Sequence, residues 1–200
     1  MRKVILQAIV SLDGYAAGPN DDVSFIPAST RGDQRWGAEQ MRLFESVDTM
    51  LLGRVTYQIF SQFWPTRTEG EEKPFADMFN AVPKIVFSKT LTRAPWGSWP
   101  EARIVKTDPG AEIARLKRES GKSILISGSI SIGQQLSDAK LVDEYHIIVC
   151  PVVLGAGRAL FPENRARQLE LIDAHPLTRG AVSMLYRERE GGSGSGKREP

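Results

Sequence analysis

Two short apolar runs constrain this chain more than anything else in it. Met50-Leu51-Leu52 ends at Gly53, and Ile124-Leu125-Ile126 ends at Ser127-Gly128-Ser129; each passes directly into a helical pattern. A run with no polar face must be covered on both sides, which is the condition of a strand inside a parallel α/β sheet. The alternation extends outward from these two runs. Val4 to Val10 reads as a strand running into the turn Ser11-Leu12-Asp13-Gly14, and Lys84–Ser88, Arg103–Lys106 and Asp143–Val149 read as further strands. Helices are expected from Asp33 to Val47, Thr56 to Trp64, Phe75 to Val82 and Ser131 to Lys140, and after the cap Thr107-Asp108-Pro109. The last two strand patterns, Leu169–Ala174 and Val182–Arg187, follow one another with no helix between them. The expected fold is therefore α/β: a mixed, mostly parallel sheet flanked by helices, with antiparallel C-terminal strands.

Residues 15–32 are rich in Gly, Pro, Asn, Asp and Ser and read as one long loop, a length that compact domains tend to reserve for binding. Residues 151–162 read as a Gly-containing apolar loop or hairpin. A chain of 200 residues suits one well-buried domain, expected over 1–190, followed by a disordered Gly/Ser-rich tail over 191–200.

Charge and cysteine content exclude several classes. The 26 basic and 24 acidic residues are interspersed, leaving +2 and no polybasic block, so neither nucleic acid nor a membrane surface is an expected partner. Cys150 is the only cysteine, which rules out an internal disulfide and a zinc ribbon; in its apolar strand it reads as a small buried hydrophobe. His146 and His175 lie far apart with no carboxylate cluster at ligand spacing, so no metal is expected. The apolar stretch after Arg2-Lys3 is too short for a signal peptide, and none reaches membrane-spanning length, so a cytoplasmic location is expected.

The chemistry is concentrated at strand ends. At Gly53-Arg54-Val55-Thr56 a helix begins on a glycine, and its free N–H groups and partial positive charge favour an anion. Thr56 adds a hydroxyl, and Arg54 can fork onto a phosphate dianion, the group that separates NADPH from NADH. Ser127-Gly128-Ser129-Ile130-Ser131 repeats the arrangement with side chains small enough for a pyrophosphate to approach the backbone. Ser88-Lys89-Thr90, after a third strand, offers hydroxyls and a cation. Each segment alone also reads as an ordinary helix start or polar strand end. None is a Gly-x-Gly-x-x-Gly fingerprint, a P-loop or a Gly-x-Ser-x-Gly nucleophile elbow.

Taken together these segments resemble the dihydrofolate reductase-like superfamily, in particular relatives of the reductase domain of riboflavin biosynthesis. The resemblance runs from about Lys3 to Arg187. It rests on Ser11-Leu12-Asp13-Gly14, Leu51-Leu52-Gly53-Arg54-Val55-Thr56-Tyr57, Lys84-Ile85-Val86-Phe87-Ser88-Lys89-Thr90-Leu91, Ile126-Ser127-Gly128-Ser129 and Pro151-Val152-Val153-Leu154-Gly155-Ala156-Gly157 with Leu160-Phe161, in that order.

The resemblance implies a sheet with NADPH across its strand ends. Arg54 and Ser88-Lys89 would hold the 2′-phosphate end, while Thr56 and residues 127–131 would hold the pyrophosphate. The nicotinamide would lie near Ala8, Ile9 and the Asp13 turn. A homodimer built on the C-terminal strands is also implied. Two positions depart from the riboflavin reductases: Ile126-Ser127-Gly128 stands where they tend to carry Glu-Gly-Gly, and Tyr15 where a basic residue is usual. Both fall where the substrate would be selected.

Asp13 is the candidate proton donor or positioning group, although Asp-Gly also makes a tight turn unaided. Glu39 is the nearest counterpart of the helix carboxylate that protonates a pterin in true dihydrofolate reductases, or else a solvated helix residue. The expected function is an NADPH-dependent reductase passing hydride to a small pterin-, pyrimidine- or carbonyl-like compound. The alternatives are a non-catalytic ligand-binding dimer on the same fold, and the riboflavin-pathway reductase of 5-amino-6-ribosylamino-uracil phosphate.

Overall fold

Alternate side chains of the central strands divide between two cores. Leu51, Ile124 and Ile126 face one side with Leu6, Ile113 and Leu136. Met50, Leu52 and Leu125 face the other with Phe44, Tyr57, Phe79 and Trp96. A strand covered on both faces needs no polar alternation, so these runs read as continuously apolar. The computed structural model describes residues 1–161 and 166–189; the tail expected over 191–200 lies outside the described residues.

The chain opens with β1 (Val4–Ser11), β2 (Tyr15–Ala17), α1 (Phe25–Thr30), α2 (Gln34–Glu45) and β3 (Val47–Gly53). It continues through α3 (Arg54–Phe63), α4 (Lys73–Ala81), β4 (Lys84–Phe87), β5 (Arg103–Val105) and α5 (Pro109–Leu116). Then come β6 (Ser123–Ser127), α6 (Ile130–Asp138), β7 (Glu144–Cys150), β8 (Arg158–Ala159), β9 (Leu169–Pro176) and β10 (Val182–Glu188).

Eight strands form one sheet in the order β5-β4-β3-β6-β1-β7-β10-β9. Every pairing from β5 to β7 is parallel. β10 runs antiparallel to both β7 and β9. The expected sheet is thus observed, including its antiparallel C-terminal edge. Asp33 and Asp108 are the expected caps: Asp33 accepts from Trp36 N at 2.8 Å, and Asp108 accepts from Ala111 N at 3.0 Å. Cys150 is fully buried in β7, and burial raises its thiol pKa.

Two expectations need correcting. Residues 15–32 are not one loop: they contain β2 and α1. β2 pairs antiparallel with β8, so the 151–162 segment carries a strand too. Neither strand has a period of its own to read. Each exists because a segment some 140 residues away supplies its hydrogen-bond partner. α1 is six residues long and is held by one buried apolar anchor, Phe25.

Candidate active site

Four strands, β3 to β6, deliver their C-terminal ends to one side of the sheet, the usual position for a ligand in an open α/β fold. There they frame a cleft of about 450 Å³. Gly53, Arg54 and Thr56 line it from the β3–α3 turn, and Gly128, Ile130 and Ser131 from the β6–α6 turn. Ser88 and Lys89 line it from the end of β4. Segments far apart in sequence therefore meet around one space.

Hydrogen bonds fix the two turns against each other. Gly53 N–H donates to Ser129 Oγ at 2.9 Å, and Thr56 Oγ1 donates to the Gly128 carbonyl at 3.4 Å. Gly128 holds φ +61, a left-handed conformation in which a side chain is strained. Ser129 is buried beneath the cleft and Ser127 nearly so; both shape the turn instead of lining the space.

The helices behind these turns begin without side-chain caps. Gly53 caps α3 and Ser129 caps α6, and neither makes a side-chain hydrogen bond to the first turn. α2 closes its first turn with Asp33, and α5, whose first residue Pro109 also lines the cleft, closes its own with Asp108. Free N–H groups at two converging helix starts are donors for an anion.

The charge of the lining agrees. Arg54, Lys89, Lys106 and Arg158 are its cations, and Asp21 is its one carboxylate. Arg54 Nη1 donates to the neutral amide of Gln58 at 2.9 Å, so its charge is not neutralised by that contact. Such a donor set suits a ligand carrying more than one phosphate, and so fits a phosphorylated dinucleotide.

Lys106 and Thr107, at the end of β5, also line the cleft and were not singled out from the sequence, although their position before the Asp108-Pro109 helix start repeats the strand-end pattern. Arg158 left no local signal, because only the β2–β8 pairing brings it there.

The remaining expected residues lie elsewhere. Ala8 is buried in β1, behind the lining. Asp13 is solvent-exposed, and its carboxylate accepts from Ser11 Oγ at 2.6 Å, Gly155 N at 2.7 Å and Leu154 N at 3.1 Å. The Ser11 hydroxyl first, then these backbone amides, lower its pKa to about 2. A group held ionised in this way is an anchor for the 154–155 backbone and a poor proton donor at neutral pH.

Glu39 does not line the cleft. It stands on α2 beside a second hollow of about 350 Å³ between that helix and β7, β10 and β9. One of its oxygens is paired with His175 Nε2, and the other accepts from Ser183 Oγ at 3.1 Å. His146 lines the same hollow next to Glu144, whose pKa is pulled to about 2 by His146 first and Lys3 second. Among the described residues no group of three or more His, Cys, Asp or Glu is arranged to hold a metal ion. No helix among them is long and apolar enough to cross a membrane.

The fold is that of the dihydrofolate reductase-like class. The profile of the RibD C-terminal domain family matches residues 2–183, and the chain belongs to that family. It is 28% identical over 187 residues to the uncharacterised Bacillus subtilis protein YyaP, covering 92% of this chain and 94% of that one. The structure of a candidate riboflavin biosynthesis protein from Shewanella sp. PV-4 superposes with a TM-score of 0.73 at 25% identity, covering 94% and 99% of the two chains. Dihydrofolate reductase from Enterococcus faecalis, solved with NADP(H), gives a TM-score of 0.60 at 12% identity over 94% and 97%, a likeness of fold alone.

Proposed function

We propose that the cleft binds NADPH and that the chain is a reductase of the riboflavin-pathway type, acting on a small heteroaromatic or carbonyl-like compound. The observation that carries this reading is the cleft itself, with two uncapped helix starts and four cations against one carboxylate. In this reading Arg54, Ser88 and Lys89 hold the 2′-phosphate, while Thr56 and the first turn of α6 hold the pyrophosphate. The nicotinamide end would lie toward the end of β1, where Ala8 and Ile9 stand outside the lining. When bound, NADPH supplies the hydride; the protein's part is to hold donor and acceptor close and dry. Asp13, with its lowered pKa, keeps the neighbouring loop in place, and the proton comes from solvent. The exposed edge strand β9 is proposed as the place where two copies join.

Titration of NADPH and NADH against the tryptophan fluorescence of the protein tests this. NADPH should bind in the micromolar range and more tightly than NADH. Arg54→Ala should weaken NADPH about 10-fold while leaving NADH nearly unchanged, the expected loss for one charge-assisted phosphate contact. Binding of neither dinucleotide below millimolar concentration would refute the cofactor, and equal losses for both would refute the role given to Arg54.

A further inference from the structure

The cation farthest from the other three in sequence is brought to the cleft by tertiary contacts. Arg158 stands in β8, outside the main sheet, in a two-stranded ribbon with β2. Leu160 N–H donates to the Gly14 carbonyl at 3.0 Å and extends the pairing to the turn before β2. Gln134 Nε2 donates to the Ala159 carbonyl at 3.1 Å and ties it to α6. At Gly157, with φ +142, an added Cβ would stand 2.1 Å from the Ala17 carbonyl oxygen, so only glycine permits this approach. These contacts set Arg158 beside the first turns of α6, where Ser131 and Gln135 also face the cleft.

Arg158 is paired with Asp21, Nε to Oδ1 at 2.8 Å, and both side chains are about half exposed. Asp21 and its neighbour Asn20 hold φ +60 and φ +58, so the carboxylate is presented from a left-handed turn. An exposed pair of this kind contributes little by itself and is readily exchanged for a stronger partner. The bond through Nε leaves the four Nη hydrogens of the guanidinium to meet another anion.

Resting on the cofactor reading above, we propose that Arg158 is a diphosphate-binding residue of the cleft and that Asp21 is its resting counter-ion. The ribbon presents the guanidinium to the pyrophosphate held at the start of α6, on the opposite side from Arg54. Asp21 keeps it turned toward the cleft while no ligand is present and competes with the ligand for it. The two arginines therefore have separable tasks. Arg54 distinguishes NADPH from NADH through the 2′-phosphate, whereas Arg158 recognises a group common to both.

The test is a fluorescence titration of NADPH and NADH against wild type, Arg158→Gln and Asp21→Asn, with a thermal melt of each protein as the fold control. Arg158→Gln should weaken both dinucleotides by about the same factor, on the order of 10-fold, and should flatten the salt dependence of binding. Asp21→Asn should tighten both by about 2- to 5-fold, since a competing carboxylate is removed. Unchanged affinities in Arg158→Gln, or a loss confined to NADPH, overturn the proposal and leave the cofactor reading standing. Wild type that binds neither dinucleotide below millimolar concentration overturns both. Should Arg158→Gln melt well below wild type, Asp21→Asn decides: tighter binding supports the competition, and unchanged or weaker binding overturns it.

Discussion

Lys84 carries its ammonium group into the interior at the start of β4. Nζ donates to the carbonyls of Phe79 and Asn80, both at 2.6 Å, and lies 4.6 Å from the centre of the Trp96 ring. The side chain thus closes the C-terminal end of α4, a favourable place for a cation. Burial pushes its pKa down from 10.5 to about 7, against these contacts, which favour the charged form. Between those values the unfolded chain holds a proton that the folded chain releases, so stability rises with pH across the window. Wild type should gain melting temperature between pH 7 and pH 9, and Lys84→Met should lose most of that gain. At pH 9 the variant should be about 1–3 kcal/mol less stable than wild type, because two helix-end carbonyls are left without a donor, and the difference should shrink toward pH 7. Parallel melting profiles for the two proteins would contradict the assignment. At this scale the caps Asp33 and Asp108 were legible because a cap is a local pattern. Lys84 was not, since a lysine heading a strand looks like any polar boundary until α4 and Trp96 close over it.

Between elements, the ribbon of β2 and β8 carries the most testable geometry. Gly155 and Gly157 both hold positive φ, +71 and +142, yet their surroundings differ. An added Cβ meets nothing within 4 Å at Gly155, whereas at Gly157 it meets the Ala17 backbone. Gly155→Ala should therefore cost only backbone strain, about 1 kcal/mol. Gly157→Ala should cost clearly more and separate β8 from β2, lowering both the melting temperature and the affinity for NADPH. Equal melting temperatures for the two variants would contradict this account of the ribbon. Legibility divides along the same line. The β3–α3 and β6–α6 turns announced themselves because an apolar run, a small residue and a helix start are contiguous. The ribbon could not, because its pairing joins segments with no shared pattern. Asp13 shows the same limit: its residues spelled a tight turn, but its bonds to the amides of Leu154 and Gly155 span 141 and 142 positions.

For the molecule as a whole, the parallel centre and antiparallel edge followed from covered strands and from two consecutive strand patterns at the end. The strand order did not, because β1 lies between β6 and β7 through contacts that no local period encodes. That order also leaves β9 at an edge, with Leu171 and Ile172 about half exposed. A long edge strand with apolar side chains invites pairing with a second copy. Sedimentation velocity at micromolar concentration should show a dimer, and Leu171→Lys with Ile172→Lys should shift it to monomer. A monomeric wild type would refute the proposed assembly. Whether one cleft at the strand ends holds a phosphorylated dinucleotide can be seen in a crystal structure grown with saturating NADP⁺. The pyrophosphate should lie between the first turns of α3 and α6, with the 2′-phosphate within reach of Arg54. A dinucleotide bound at the α2–β9 hollow instead, or an empty cleft under those conditions, would contradict this cofactor site.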